Sequence, residues 1–131
     1  MELEIVQLDG PAIQKARQEG RHNLAHLTFI FPEPGFLRTL FHSSNAGTGW
    51  NFMHVKDARL DSLLEAGEKE TDLAKRRQIY DELQEHVLNE ALVIPTVYQH
   101  QVMALDKRLR GAVLYPVHGE YLWLYGASLG G

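Results

Sequence analysis

The amino-acid sequence predicts an α/β fold: a strand–helix–strand (βαβ) unit, then a helical hairpin, then C-terminal strands. Short apolar runs flank an amphipathic segment near the N-terminus, and two longer stretches in the middle have apolar residues at helical spacing. β-Branched and aromatic residues become frequent after residue 91. With 131 residues, 44% of them hydrophobic and 23% charged, residues 1–131 fit a single globular domain.

The βαβ unit is predicted from the first 31 residues. Alternating apolar residues predict a short strand over residues 3–8, and Asp9-Gly10-Pro11 is typical of a turn that leads into a helix. The helix is expected over residues 11–19, with Gly20 as its stop. The apolar run 24–31 then predicts a buried strand, parallel to the first because such crossovers are short and right-handed.

A short helix and a loop follow this unit. The segment 32–35 carries two prolines and a glycine and should end the second strand, after which a short helix is expected over residues 36–42. Residues 43–51 are rich in Ser, Asn and Gly, which indicates a loop that ends at the aromatic residues Trp50 and Phe52.

The helical hairpin is the clearest pattern in the chain. Asp57 is placed as N-cap of a helix over residues 58–67, and Thr71 or Asp72 can cap a second helix that runs to about residue 90. The predicted core faces comprise Leu60, Leu63 and Leu64 in the first helix and Leu73, Tyr80, Leu83, Val87 and Leu88 in the second. Beyond the hairpin, strands are predicted over residues 92–98, 102–105, 111–115 and 121–125.

Charge and composition exclude several classes of function. The formal net charge is -4, and the basic run 75–77 has acidic neighbours on its helix, so nucleic acid is not an expected partner. The chain has no cysteine, which excludes disulfides and thiolate chemistry. The longest apolar runs are far shorter than the ~20 residues of a membrane helix. The N-terminus lacks the pattern of a signal peptide, so a secreted protein would have lost its signal before residue 1.

No motif predicts catalysis or a resident cofactor. The seven histidines are scattered, and the pairs His22 with His26 and His86 with Glu90 are best interpreted as ordinary hydrogen-bonding residues. Ser43 and Ser44 are not in a nucleophile elbow. The Gly47-Thr48-Gly49 segment lacks the lysine of a phosphate-binding loop. We therefore expect no enzyme activity, no metal and no cofactor.

From residue 33 onward, an ordered string of motifs resembles the family 5 extracellular solute-binding proteins of ABC transporters, the dipeptide, oligopeptide and nickel-binding class. The string comprises Glu33-Pro34 with Leu37 and Phe41, Trp50-Asn51-Phe52, Asp61-Ser62-Leu63-Leu64, Thr71-Asp72 with Arg77 and Tyr80, Gln84, the segment 93–98 and Gly111. The resemblance covers nearly the whole chain but only the C-terminal portion of a family member.

This resemblance implies part of one lobe of a two-lobed periplasmic binding protein, in which the solute lies between the lobes. The implied partners are a small-molecule or peptide-like solute, the missing N-terminal lobe and the ABC permease subunits. The implied location is periplasmic or extracellular, membrane-associated through the importer. The ligand-binding residues that it implies are Phe29, Phe31, Trp50 and Asn51 near the cleft, and Tyr98 near the hinge.

Two further expectations accompany the resemblance. Peptide-binding members carry an aspartate before the segment that resembles Glu33-Pro34, where it pairs with the peptide's ammonium group, but Ile30 occupies the matching position here. A free peptide N-terminus is therefore a less favourable ligand. The alternative function is a protein-interaction module that reuses this lobe and presents its exposed aromatic residues to a partner.

Overall fold

The structure is a computed structural model that contains both helices and strands, which confirms the predicted α/β class. It describes residues 2–29, 31–47, 49–97, 100, 102–115 and 121–130. The chain divides into two compact units. Unit 1 comprises Met1–Thr28 and Glu33–Ile94, and unit 2 comprises Phe29–Pro32 and Pro95–Gly131. The single domain over residues 1–131 stays a prediction.

Helix α1, Gly10–Gln18, confirms the first predicted helix. It begins at Asp9, whose carboxylate accepts a hydrogen bond from the amide of Ala12 at 2.9 Å. Pro11 occupies the first turn, where its missing N–H group is not needed. The helix ends before Gly20, which adopts a φ of +66° that favours glycine.

The two strands that should flank α1 are not formed. Residues 2–9 and 21–29, all of which the structure describes, contain neither helix nor strand before α1 begins or after it ends. Ile5 is 85% exposed and Leu24 is 62% exposed. Apolar alternation indicates which face of a strand could be buried, but a strand also needs a neighbour for its backbone groups. Neither segment pairs with one here, so the βαβ part of the fold prediction is wrong for these residues.

Helices α2 to α4 make up the rest of unit 1. Helix α2, Leu37–Phe41, follows a 3-10 turn at Pro34–Phe36 and confirms the predicted short helix. Helices α3, Ala58–Lys69, and α4, Leu73–Asn89, form the predicted hairpin. Their N-caps are the predicted ones. The Asp57 carboxylate accepts from two first-turn amides of α3, and the Asp72 carboxylate does the same for α4.

The core of unit 1 lies on the facing sides of α3 and α4. Leu60, Leu64 and Leu83 are fully buried, and Tyr80 and Val87 are nearly so. Two predicted core residues are solvent-exposed instead, Leu73 at 81% and Leu88 at 52%. Leu73 is the first residue of the longer helix, and Leu88 lies about 100° around the helix from Val87, so neither faces α3.

A close approach of the two helices occurs at Gly67. A methyl group at this position would lie 2.8 Å from the ring of Tyr80. The guanidinium of Arg76 lies 5.4 Å from the centre of the same ring, donates to the carbonyl of Gly67 at 3.0 Å and also pairs with Glu33. Arg76 thus connects three segments of unit 1, because its long side chain reaches beyond its own helix.

The described residues of unit 2 form four two-residue strands, shorter than the predicted ones. Strand β1, Leu109–Arg110, pairs antiparallel with β4, Ser128–Leu129, and β2, Val113–Leu114, pairs antiparallel with β3, Leu122–Trp123. The rings of Tyr115 and Trp123 stack at 5.4 Å. Predicted strands over 92–98 and 102–105 are not formed in the described residues of those segments. Among all the described residues, no helix is long and apolar enough to cross a bilayer.

Candidate functional site

A surface cavity of about 230 Å³ lies in unit 1, between α1 and the loop that follows α2. It is lined by Gln14, Gln18, Gly49, Trp50 and Phe52. The two glutamines are four residues apart on α1, so their side chains lie on one face of the helix. The other three residues belong to the Gly-rich loop that the sequence predicts.

Two aromatic rings form the apolar part of this cavity. The ring centres of Trp50 and Phe52 are 5.9 Å apart with planes tilted by 45°, a favourable arrangement for neighbouring aromatic rings. Phe52 is buried, whereas Trp50 is 47% exposed. A small molecule in the cavity can therefore contact the exposed indole of Trp50 beside the buried ring of Phe52.

The loop that carries these rings is fixed by Asn51. Asn51 is fully buried, and its amide nitrogen lies within hydrogen-bonding distance of the carbonyl oxygens of Phe41, His42 and Val55, at 3.4, 3.2 and 2.9 Å. Its amide oxygen accepts from the backbone N–H of Val55 at 3.0 Å. Because one side chain satisfies several backbone groups on both sides of the loop, the positions of its two neighbours are well determined.

Arg17 and His54 connect the same loop to α1. The guanidinium of Arg17, only 8% exposed, lies 5.7 Å from the centre of the Phe52 ring and donates to the carbonyl of His26. The Nε2 atom of His54 is 3.2 Å from the carbonyl oxygen of Arg17. His54 has a φ of +54°, which is uncommon for a residue other than glycine, and its ring packs beside Gly20.

The predicted ligand-binding residues belong to both units of the chain. Trp50 lines the cavity. Asn51 is not among the residues that line it, and its buried amide bonds to the backbone; a ligand contact of Asn51 stays a prediction. Phe29 and Phe31 contact each other, with ring centres 6.3 Å apart, in unit 2. Tyr98 lies outside the described residues.

Sequence reasoning missed the polar part of the cavity. Gln14 and Gln18 have the spacing of neighbours on one helix face, and that spacing is the signal that could have drawn attention to them. No pattern shows that this face meets the Gly-rich loop, because the contact joins segments more than thirty residues apart in the sequence. Phe52 was expected only as the end of the loop.

Two histidines, His42 and His86, contact carboxylates in unit 1 outside the cavity. The Nε2 atom of His86 and the carboxylate of Asp57 are 2.7 Å apart, which lowers the pKa of Asp57 from its ordinary value. His42 faces Glu65, with 3.5 Å between Nε2 and the carboxylate, and this contact together with Lys69 lowers the pKa of Glu65. The contact of His86 joins α4 to the N-cap of α3, and that of His42 joins the end of α2 to α3.

Serine and aspartate residues also lie close to His42. The hydroxyl of Ser44 is 2.8 Å from Nδ1 of His42, but the same nitrogen also accepts from the backbone N–H of Ser44. Asp61 accepts from the backbone N–H of Ser43. These contacts cap the 3-10 turn Ser43–Asn45, which gives them a structural role. In the part of the chain that is described, no group of three or more His, Asp or Glu residues could hold a metal ion.

The chain is similar to the probable deoxycholate-binding periplasmic protein YgiS of Escherichia coli (strain K12). The two are 30% identical over 94 residues, which is 72% of this chain and 16% of YgiS. The chain therefore spans about a sixth of the length of this curated relative. No protein-family profile matches the chain, and no solved structure matches it. The comparison relates the chain to a periplasmic binding protein and supports a role in ligand binding.

Proposed function

We propose that this chain is the C-terminal portion of a solute-binding protein of the family 5 class, the receptor component of an ABC importer, and that it is not an enzyme. The observation that carries the proposal is the similarity to YgiS over 72% of the chain. The ordered motifs from Glu33-Pro34 to Gly111 favour the same class. The cavity at Trp50 is where we propose that unit 1 contacts the solute.

The proposed solute is a small amphipathic molecule. YgiS is named for deoxycholate, and the cavity at Trp50 combines aromatic and amide groups, which suit a molecule with both apolar and polar surface. The cavity is smaller than the roughly 300–1,000 Å³ of a pocket that encloses a complete ligand. We therefore expect the chain alone to bind solute weakly, and a second lobe to supply the remaining contacts.

A chimera tests this proposal directly. The chain replaces the matching segment of YgiS, and binding of deoxycholate is measured by calorimetry. We expect the chimera to bind deoxycholate with an affinity that calorimetry can measure, because segments that are 30% identical should share their local fold. A folded chimera that does not bind, or a tight stoichiometric complex with the chain alone, would contradict the half-cleft proposal.

A matched pair of tryptophan variants locates the site within the chimera. Trp50→Ala should weaken binding by about tenfold or more, because it removes the accessible ring of the cavity. Trp123→Ala is the control, since Trp123 is exposed to a similar degree but lies in unit 2 and stacks on Tyr115. Equal losses in the two variants would argue against the cavity as the contact site.

The proposed location and partners follow from the class. We place the protein in the periplasm, where YgiS is named as resident, with an N-terminal lobe and ABC permease subunits as partners. Fractionation of cells that express the complete gene product, followed by co-purification with a tagged permease, tests both. Recovery in the cytoplasm would contradict the proposed location.

A second candidate is the interaction module, favoured by the exposed aromatic residues of unit 2. Tyr121, Trp123 and Tyr125 are all more than half exposed. Large exposed apolar surfaces are typical of protein contacts. Loss of a co-purifying protein on Trp123→Ala, with solute binding of the chimera absent throughout, would favour this candidate over the first.

A further inference from the structure

We propose that the cavity at Trp50 binds an uncharged ring that carries a hydroxyl or amide group, and that any charged group of the solute lies outside it. The inference rests on the proposed solute-binding function and specifies which part of a solute unit 1 contacts. It follows from the side chains that line the cavity and from its size.

Among the described residues, those that line the cavity carry no ionised side chain. Gln14, Gln18, Gly49, Trp50 and Phe52 are all uncharged. Two cations of α1 adjoin the glutamines in sequence. Lys15 is exposed and lies 3.9 Å from the carboxylate of Glu19, whereas Arg17 is buried, lies over the ring of Phe52 and donates to the carbonyl of His26. A carboxylate or ammonium group in the cavity would lose hydration without gaining an opposite charge, which is unfavourable.

The polar groups of the cavity match a neutral hydrogen-bonding ligand. Each glutamine side chain offers both an N–H donor and a carbonyl acceptor, so the pair can bind a hydroxyl or an amide in either orientation. The indole of Trp50 offers a flat apolar surface beside them. A saturated or aromatic ring with one polar substituent uses both kinds of contact at once.

The volume of the cavity suits a ligand with a single ring. The cavity measures about 230 Å³, below the roughly 300–1,000 Å³ of pockets that enclose a complete ligand. A single six-membered ring with a small substituent fits this space, whereas a complete multi-ring solute does not. The cavity is therefore a subsite for one end of a solute.

Three probes of the same shape and different charge test the inference. They are cyclohexanecarboxamide, cyclohexanecarboxylate and cyclohexylmethylammonium, each titrated into the full chain with the substitution Trp123→Phe. The chain has two tryptophans, so this variant leaves Trp50 as the sole indole fluorophore. We expect the neutral amide to bind at least about tenfold more tightly than either ion, and Gln14→Leu to weaken binding of the amide by about fivefold or more, because it removes a hydrogen-bonding partner. Gln78→Leu, on α4 and outside the cavity, should leave binding of the amide unchanged.

The outcomes separate the inference from the proposed function. If cyclohexanecarboxylate binds as tightly as the amide or more tightly, or if no probe changes the emission of Trp50, the neutral-ring subsite is wrong. The deoxycholate chimera reports the proposed function independently of these titrations. A chimera that binds deoxycholate while the probes show no neutral preference would retain the receptor and reject the subsite.

Discussion

At the scale of single residues, Asn51 shows how a conspicuous motif residue can serve structure. The sequence places it between two aromatic residues, which suggests a ligand contact, but its amide bonds to the backbone on both sides of the loop. We expect Asn51→Ala to lower the free energy of unfolding by about 2–4 kcal/mol, because it leaves buried backbone groups unpaired. Urea denaturation measures the change.

Asn45→Ala is the matched control for this prediction. Asn45 lies at the start of the same loop, is partly exposed, and donates one hydrogen bond to the carbonyl of Arg38. Its loss should cost about 1 kcal/mol. Equal destabilisation by the two substitutions would show that the network around Asn51 contributes nothing beyond a single hydrogen bond.

Gly67 provides a second prediction at this scale. Replacement of a helical glycine by alanine is ordinarily stabilising, but a Cβ atom here would lie 2.8 Å from the ring of Tyr80. We expect Gly67→Ala to destabilise the protein by about 1–3 kcal/mol, measured by thermal or urea unfolding. Gly10→Ala is the control, since no atom lies within 4 Å of its added Cβ, and it should be neutral or slightly stabilising.

Arg76 shows why single-residue roles are difficult to infer from spacing. Asp72 and Arg76 are four apart on α4, a spacing typical of a helical ion pair. In the structure, Asp72 caps the helix, while Arg76 pairs with Glu33 and donates to the carbonyl of Gly67. Local spacing identifies which residues could meet, but contacts from distant segments decide which do.

At the scale of elements, the helices could be predicted, whereas among the strands only the positions of β2 and β3 could. The caps, turn residues and apolar period of α1, α3 and α4 are contained within each segment, so the sequence alone specifies them. A strand depends on a partner from another part of the chain. Residues 3–8 and 24–29 have apolar strand-like composition without a partner, and the observed strands of unit 2 are only two residues long.

The same dependence on distant contacts applies to the candidate site. Its aromatic half includes Trp50, which the family resemblance implies as a ligand contact, whereas Phe52 is predicted only as the end of the loop. Its amide half could not be predicted, because Gln14 and Gln18 are ordinary residues on a helix until the loop packs beside them. The cavity exists only through that long-range contact.

The contact between Asp57 and His86 makes the stability of the helical hairpin depend on pH. The contact lowers the pKa of Asp57. The carboxyl group therefore holds its proton less tightly in the folded protein than in the unfolded chain, where its pKa is about 3.9. The stabilisation is therefore complete above about pH 4 and is lost as the pH falls through the folded pKa. We expect Asp57→Asn to cost about 1–2 kcal/mol at neutral pH and progressively less below pH ~4.

Unfolding by urea over a series of pH values checks this prediction. Asparagine can still cap α3, so the substitution removes mainly the charge that faces His86. Asp81→Asn is the control, since Asp81 is exposed and 3.8 Å from Arg77, and it should change stability little at any pH. A cost for Asp57→Asn that stays constant as the solution is acidified would contradict the assignment to this carboxylate.

At the scale of the whole molecule, buried apolar contact is distributed unevenly. In unit 1, fully buried leucines are concentrated between α3 and α4, whereas residues 2–9 contain neither helix nor strand and expose Leu3, Ile5 and Val6. The local structure around a backbone amide opens with a free energy that depends on how well that part of the chain is packed. We expect amides near Leu64 and Leu83 to exchange with solvent at least about 100-fold more slowly than those of residues 3–8.

Hydrogen exchange measured by NMR or mass spectrometry tests this gradient, and α1 is its internal standard. Helix α1 has caps and a full set of helical bonds but less buried surface than the hairpin, so its protection should be intermediate. Protection of residues 3–8 or 24–29 equal to that of α1 would show that these segments do pair as strands. In that case the βαβ interpretation of the apolar pattern would be restored, because slow exchange of alternate amides requires the strand partners that the pattern alone cannot supply.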